Sequence, residues 1–235
     1  MNNIEKIKNE LKDVSDPNKA LILQKFFKTG VGEYGEGDIF IGASVGDSRK
    51  IAKKYKDIPL SEVSELLSSK IHEERLIALV ILTIKYSVVN DDGRGRIVDF
   101  YLRHTKYINN WDLVDISAHK ILGSYLYPKG LSGLMDLARS DSLWERRISI
   151  IATYYFIKEN HFDATLSIAL LLLNDKHDLI HKAVGWMLRE VGKRSYKTEK
   201  DFLIKHYKKI PRTMLRYAIE RFRDSERQAF LKGKA

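Results

Sequence analysis

Apolar residues recur at intervals of three and four along almost the whole chain, and this period predicts amphipathic helices. Short polar breaks separate the apolar runs. Several breaks carry proline at a position typical of a helix start, as at Pro17, Pro59 and Pro211. The pattern predicts about a dozen helices and almost no sheet.

Four of the apolar segments share a spacing. Arg75, Trp111, Arg147 and Ala183 follow one another at intervals of 36 residues, each near the start of a long apolar run. The segments are HEERLIALVIL (72–82), WDLVDISAHKIL (111–122), WERRISIIATYY (144–155) and HKAVGWMLREV (181–191). Two helices in about 36–40 residues is the period of HEAT-like α-solenoids. We therefore expect an all-α, HEAT-like solenoid (an α-α superhelix) that forms one domain over residues 1–235.

A solenoid makes such a period chemically useful, because equivalent positions of successive helices line one concave face. The predicted track comprises Arg75, Trp111, Asp115, Trp144, Arg146, Arg147, Lys182 and Trp186. Any one of the three tryptophans, taken alone, fits a place in the core at least as well as a place in a binding site. Together with the cations, however, the three tryptophans predict a channel that stacks on sugars or bases and holds phosphates.

One segment breaks the helical pattern. Residues 30–42 read GVGEYGEGDIFIG, and six of the chain's 14 glycines lie between Gly30 and Gly46. The segment predicts a β-hairpin or a glycine-rich loop, and it matches neither a phosphate loop nor a dinucleotide fingerprint. It is either a surface turn or a wedge directed towards nucleic acid, with Tyr34 or Phe40 at its tip.

The charge is uneven and indicates the partner. The net charge is +10, and residues 181–235 hold 16 basic and 6 acidic side chains, whereas residues 1–180 are neutral. A basic C-terminal part on a neutral body predicts a polyanion partner, nucleic acid rather than a membrane surface. No apolar run approaches the roughly 20 residues that span a bilayer.

The remaining composition excludes several kinds of chemistry. The chain has no cysteine, which rules out disulfides, thiolate catalysis and cysteine-bound zinc. His177 and His181 are four residues apart but no third ligand is evident, so we expect neither a metal nor a cofactor. The first residues predict a charged amphipathic helix rather than a signal peptide. We expect a cytoplasmic, nucleoid-associated monomer of bacterial type.

Three motifs together carry a resemblance. WDLVD at one helix start, WERR at the next long helix and HKAVGWMLRE after it are similar, in order and spacing, to the DNA alkylation repair family. Within that family they resemble the AlkD-type group of HEAT-like DNA glycosylases. The resemblance covers nearly the whole chain, and the ordered set is more specific than any single motif.

The resemblance implies an activity and a site. Such proteins excise cationic alkylated purines, for example 3-methyladenine and 7-methylguanine, with one aspartate and two tryptophans beside an arginine that contacts the DNA backbone. Carried over, these are Asp115, Trp111, Trp186 and Arg147. The full predicted DNA-binding set is Arg147, Arg146, Lys182, Arg75, Arg189 and Tyr34. Asp112, which follows the potential N-cap residue Asn110, is expected to support the helix start.

Two alternatives stay open at the level of the sequence. The insertion at 30–42 resembles the AlkF/AlkG branch, in which a hairpin accompanies binding of branched DNA and excision of alkylated bases is absent. A solenoid that binds proteins is the second alternative. The four residues of the implied site favour a DNA glycosylase, a monofunctional hydrolase of base excision repair.

Overall fold

The computed structural model describes residues 2–127 and 129–234. The helices are α1 Asn3–Asp13, α2 Pro17–Phe26, α3 Val45–Lys54, α4 Leu60–Leu67, α5 His72–Val88, α6 Asp91–Arg103, α7 Trp111–Ala118, α8 Ser124–Leu126, α9 Ser132–Ala138, α10 Leu143–Lys158, α11 Asp163–Leu172, α12 Asp178–Gly192, α13 Tyr196–His206, α14 Arg212–Ala218 and α15 Asp224–Leu231. Within these described ranges there is no β-strand, only an isolated bridge between Ile39 and Ile71. The all-α fold class is confirmed.

Helix starts lie where the sequence signals place them. Helix α2 begins at Pro17, and the side chain of Asp16 accepts hydrogen bonds from the next free backbone N–H groups. Helices α4 and α14 begin directly after Pro59 and Pro211. In the described part of the chain, no helix combines the length and the apolar character that crossing a membrane requires.

The chain divides into two compact units, Met1–Ser117 and Ala118–Ala235. In the first, α5 packs against α3 and α4; in the second, α12 packs against α10 and α14. Each unit therefore stacks helices on near neighbours in the chain, as an α-solenoid does. One repeat domain over residues 1–235 stays a prediction.

The 36-residue spacing does not mark helix starts. The four long apolar segments begin their helices at His72, Trp111, Leu143 and Asp178, at uneven intervals. Of the four residues in phase, Arg75, Arg147 and Ala183 are at most 5% exposed, and only Trp111 has substantial solvent contact. The common phase is therefore mostly a core phase, because solenoid helices bury the same side in every repeat.

Helices α12 and α14 approach closely at one glycine. A Cβ atom on Gly185 would lie 2.4 Å from the carbonyl oxygen of Met214 and 2.5 Å from Cβ of Tyr217. Two backbones can pack this tightly only where one side chain is absent. Gly133 of α9 differs, since a Cβ there would meet only Leu126 Cδ1, at 3.6 Å.

We predict that Gly185→Ala lowers the free energy of unfolding by about 1–3 kcal/mol, because the added methyl group forces the two helices apart. Gly133→Ala is the matched control and should be neutral or stabilising by up to ~1 kcal/mol. Urea denaturation measures both variants. Equal stability of the two variants would show that the α12–α14 contact is looser than described.

The second unit also buries a carboxyl group. Glu199 of α13 is 2% exposed, and its Oε2 lies so close to Gly192 that a Cβ there would be 1.7 Å away. Burial raises the pKa of Glu199 to about 9, and the nearby charge of Arg189 only partly opposes this. The neutral acid is therefore the form that the folded unit accommodates near neutral pH.

This shift predicts a pH-dependent stability. Above about pH 4.5 the unfolded chain loses the Glu199 proton, whereas the folded chain keeps it up to about pH 9. Wild-type stability should therefore fall through this window, by at most ~1.4 kcal/mol per pH unit from this group. Glu199→Gln removes the effect, so the melting temperature of this variant relative to wild type should increase between pH 5 and pH 8. Glu159→Gln, at an exposed carboxylate, is the control, and an advantage independent of pH would contradict the prediction.

Candidate functional site

The start of helix α7 is fixed by two polar side chains. Asn110 is fully buried, and its Oδ1 accepts the backbone N–H of Trp111 at 2.8 Å. Asp112 Oδ1 accepts the backbone N–H of Leu113 at 2.9 Å. The first turn of an α-helix has N–H groups without helical partners, and these contacts satisfy two of them. Asp112 supports the helix start, as expected.

Trp111 and Asp115 lie one turn apart on this helix. Both are partly exposed, whereas Leu113, Val114 and Ser117 of the same helix are fully buried. Residues four apart project from neighbouring positions of one helix face. The helix therefore offers an indole and a carboxyl group together at the surface of the first unit.

A buried charge network lies beneath the start of α7. His72, 2% exposed, places Nδ1 3.1 Å from Asp38 Oδ2 and Nε2 2.8 Å from Asp112 Oδ2. Arg75 Nη2 lies 2.6 Å from Asp38 Oδ1, and Asn110 Nδ2 donates to Asp38 Oδ2 at 3.2 Å. Carboxylates only accept, so the protonated imidazole with two N–H donors fits this position best. The network pairs two acids with two cations.

The pKa values follow from this pairing. Burial by itself would lower the pKa of His72, but hydrogen bonds to Asp112 and Asp38 outweigh it, and the pKa of His72 is raised. Burial would likewise raise the pKa of Asp38, but His72, Arg75 and Asn110 together hold it below its usual value. Both shifts favour the charged form of the residue.

Four rings adjoin this network. Phe27 stacks on Trp111, with centroids 5.0 Å apart, and also on Phe40, at 4.8 Å. Phe40 in turn stacks on the imidazole of His72 at 4.3 Å. Phe26, which is 61% exposed, meets Trp111 edge to face at 5.9 Å. The indole of Trp111 is therefore held in place by aromatic contacts from the last residue of α2 and the residue after it.

Residues 30–42 form a series of turns, which we call the glycine-rich loop, and no hairpin. Two of the loop's side chains point inward, since Asp38 is 5% and Phe40 4% exposed, whereas Val31 is 94% and Ile39 46% exposed. The predicted place of Phe40 at an exposed tip is therefore wrong, because its ring packs between Phe27 and His72. Tyr34 is partly exposed, and its hydroxyl donates to the carbonyl of Phe26 at 3.4 Å.

An apolar cleft of about 270 Å³ opens beside the network. Its lining includes Ile22, Phe27 and Phe40, and its polar edge includes His72 and Asp112. The carboxylate of Asp112 retains 16% side-chain exposure. The cleft therefore gives solvent access to one end of an otherwise buried charge network.

In the second unit, Trp186 of α12 is the candidate aromatic. It is partly exposed, its Nε1–H donates to Glu190 Oε1 at 3.0 Å, and its ring lies 6.4 Å from that of Tyr154. Lys193 also donates to Glu190 Oε1, at 2.6 Å. Glu190 thus fixes the orientation of the indole.

Three of the predicted DNA-binding arginines are engaged by the protein itself. Arg75 is 3% exposed and pairs with Asp38, so it does not present a cation to DNA. Arg147 is 5% exposed, and its Nη1 donates to the carbonyl of Leu179 at 2.7 Å. Their burial does not favour direct phosphate contacts, which stay a prediction for these two arginines. Arg146 pairs with Asp175 at 2.6 Å and also donates to two backbone carbonyls.

Two of the predicted cations pair with exposed acids. Lys182 retains 41% side-chain exposure and pairs with Asp178 at 2.7 Å, one turn away on the same helix. Arg189 is 18% exposed, much like Arg146 at 19%, but its partner Glu220 is 52% exposed, whereas Asp175 is 5% exposed. Exposed pairs of this kind contribute little stability, so a phosphate can replace the carboxylate at small cost. Lys182 is the more accessible of the two.

Sequence reasoning missed the central histidine. His72 begins the HEERLIALVIL segment, which the sequence singles out only for its apolar period. Its partners Asp38 and Asp112 are 34 and 40 residues away, so no local spacing connects them. Among the described residues, no group of three or more potential ligands suits a metal ion.

Comparisons with known proteins agree on one family. The sequence model of the DNA alkylation repair enzyme family matches residues 7–222. A solved structure, described as a predicted DNA alkylation repair enzyme from Enterococcus faecalis, is similar with a TM-score of 0.68 and 14% identity over 89% of this chain and 97% of that one. At that identity the likeness concerns the fold. None of the curated proteins compared matches.

The network predicts an unusual titration. The imidazole of His72 should titrate above its ordinary pKa of about 6.5 in a nitrogen-detected NMR series, because two carboxylates stabilise the charged form. Its contribution to stability is then complete below about pH 6.5 and is lost as the pH rises through the folded-state pKa.

Asp112→Asn removes one of the two carboxylates and should lower the pKa of His72 relative to wild type. Asp99→Asn, at an exposed position on α6, should leave it unchanged. A wild-type His72 that titrates at or below 6.5 would contradict the described pairing.

Proposed function

The chain belongs to the DNA alkylation repair enzyme family, and from that premise we propose that it is a DNA glycosylase that hydrolyses the N-glycosidic bond of alkylated purines. The family establishes DNA repair as the process and DNA as the partner. The finer proposal names the substrates as cationic bases such as 3-methyladenine and 7-methylguanine. The observation that carries it is the pair of Trp111 and Asp115, one turn apart and both solvent-accessible.

The chemistry needs few groups. A purine alkylated at N3 or N7 carries positive charge and leaves without a strong general acid. The remaining requirement is to stabilise the oxocarbenium-like deoxyribose and to position a water molecule, which a carboxylate does in glycoside hydrolysis. Asp115 is our candidate for this carboxylate. Asp112 is unsuited to that part, because its two oxygens already serve His72 and the backbone of Leu113.

Tryptophan suits the charge of this substrate. The face of an indole attracts a cation at a distance of up to about 6 Å, so Trp111 can stabilise the cationic sugar or base beside Asp115. The contact with Phe27 holds the indole of Trp111 from one side. The family resemblance adds Trp186 as a second indole. We propose both as DNA-facing aromatic residues.

We propose phosphate contacts according to how exposed the acidic partner of each cation is. Lys182 and Arg189 carry their cations near the surface in exchangeable ion pairs, and residues 181–235 supply the excess of positive charge. Arg146 and Arg147, which the protein's own carbonyls and Asp175 engage, are proposed to shape α10 rather than to bind phosphate directly. Such binding should weaken with salt in proportion to the phosphates contacted.

The alternative of a non-catalytic, AlkF/AlkG-like binder of branched or distorted DNA rests on the insertion at residues 30–42 and on the basic C-terminal part. The described loop forms turns and buries Asp38 and Phe40 within the first unit. The hairpin is therefore missing, while the basic residues 181–235 remain, and we rank this alternative below the glycosylase.

The test is release of base from DNA that carries a single 7-methylguanine, under single-turnover conditions. Asp115→Asn should reduce the rate by about 100-fold or more, as loss of one stabilising group in an active site commonly does. Asp99→Asn is the control for loss of a carboxylate and should retain the wild-type rate. No release by wild type above the buffer rate, or equal rates for wild type and Asp115→Asn, would overturn the proposal.

A further inference from the structure

The glycine-rich loop contacts the start of helix α7 at two points. Asp38 accepts a hydrogen bond from Asn110 directly and reaches Asp112 through His72. Phe40 reaches Trp111 through Phe27. These contacts end on Asn110, just before α7, and on Trp111 and Asp112, its first two residues. A loop that looked like a projecting insertion in the sequence is therefore built into the support of this helix.

The loop is itself held firmly. Glu73 is 2% exposed, and its carboxylate accepts the backbone N–H groups of Ile41 and Gly42 at 2.9–3.2 Å. Ile39 pairs with the chain before α5, donating its N–H to Lys70 and accepting the N–H of His72 at 2.8 Å. Because these hydrogen bonds anchor the loop to the start of α5, the loop can hold the start of α7 in place.

Two glycines permit the close approach. Gly42 has φ +85°, and a Cβ there would lie 2.0 Å from the carbonyl oxygen of Asp16. A Cβ on Gly35 would meet the carbonyl of Phe27 at 2.5 Å and the amide of Asn110 at 3.3 Å. The glycine content of the loop thus serves packing against α2 and the start of α7.

We propose that Asp38, His72 and Phe40 are positioning residues, which set the placement of Trp111 and Asp115 for the reaction without touching DNA. The inference rests on the proposed function for its effect on catalysis. Its structural content, that the loop fixes the start of α7, stands independently of any activity. The position of a catalytic group matters steeply, and an error of about 1 Å can cost on the order of 100-fold in rate.

The charged contacts of His72 make the support of α7 dependent on pH. The imidazolium of His72 faces Asp38 from the loop and Asp112 from α7, while Arg75 lies on its own helix and Glu73 and Lys19 line the adjacent cleft. Loss of the His72 proton leaves one of the two carboxylates without its hydrogen bond. The start of α7 should therefore loosen in wild type as the pH rises through the raised pKa of His72, and this dependence should disappear in His72→Gln.

The experiment uses the full chain with Asp38→Asn, which keeps size and removes charge, and Phe40→Leu, which removes the ring. Glu36→Gln, at an exposed acid in the same loop, is the matched control, and Phe40→Tyr should rescue because it restores the stacked ring. Asp38→Asn and Phe40→Leu should each reduce single-turnover base release at least 10-fold. Their affinity for the same DNA should stay within about threefold of wild type.

A second readout does not depend on activity. In a protein whose other two tryptophans are Phe (Trp144→Phe and Trp186→Phe), emission and near-ultraviolet circular dichroism report on Trp111 alone. Asp38→Asn and Phe40→Leu should shift both signals, and should speed hydrogen exchange of the Leu113 and Val114 amides. Glu36→Gln and Phe40→Tyr should change neither signal. Far-ultraviolet circular dichroism identifies a variant that fails to fold. If Asp38→Asn or Phe40→Leu fails to fold, the other of the two tests the proposal.

The outcomes separate the two proposals. If wild type releases no base but the Trp111 signals respond to the loop variants, the proposed activity fails and the positioning holds. If wild type is active while Asp38→Asn and Phe40→Leu leave both the rate and the Trp111 signals unchanged, the positioning is overturned and the activity stands. A reduced rate with unchanged Trp111 signals also overturns it, since the loop would then act by another route.

Discussion

In the first unit, the imidazole of His72 lies between two carboxylates that belong to different segments of the chain. Asp38 comes from the glycine-rich loop and Asp112 from the first turn of α7, and Arg75 balances the second negative charge. Breaking one partner of such a buried network leaves an uncompensated charge, so its members hold one another in position. The loop, the start of α5 and the start of α7 are joined at this point, and the placement of Trp111 and Asp115 depends on it.

The helical architecture could be predicted from the sequence because helix formation is largely a local matter. The three-and-four spacing of apolar residues and prolines such as Pro17 and Pro59 indicate helices and their starts directly. Trp111 and Asp115 could be singled out because they belong to one short motif on one helix face. Their catalytic roles stay a proposal.

The rest of the site could not be predicted, because it depends on pairing between distant segments. Nothing in the spacing of Asp38 and Asp112 indicates that one histidine bridges them. The sequence predicts Arg75 on the concave face because it shares the phase of Trp111. In the structure the first turns of α5 are buried, and Arg75 in the first of them pairs with the buried Asp38. One interpretation of the glycine-rich segment placed Tyr34 or Phe40 at the tip of a projecting wedge, whereas Gly35 and Gly42 allow the chain to pack inward.

The central claim is that the charge of the substrate base replaces a strong general acid, so that one carboxylate and the indole faces are sufficient. The most direct measurement compares two duplexes that differ at a single position, one with 7-methylguanine and the other with its neutral isostere 7-deaza-7-methylguanine. Mass spectrometry of the intact strands detects loss of the base. The account predicts an abasic strand from the cationic base alone. Equal loss of both bases, or of neither, would contradict it.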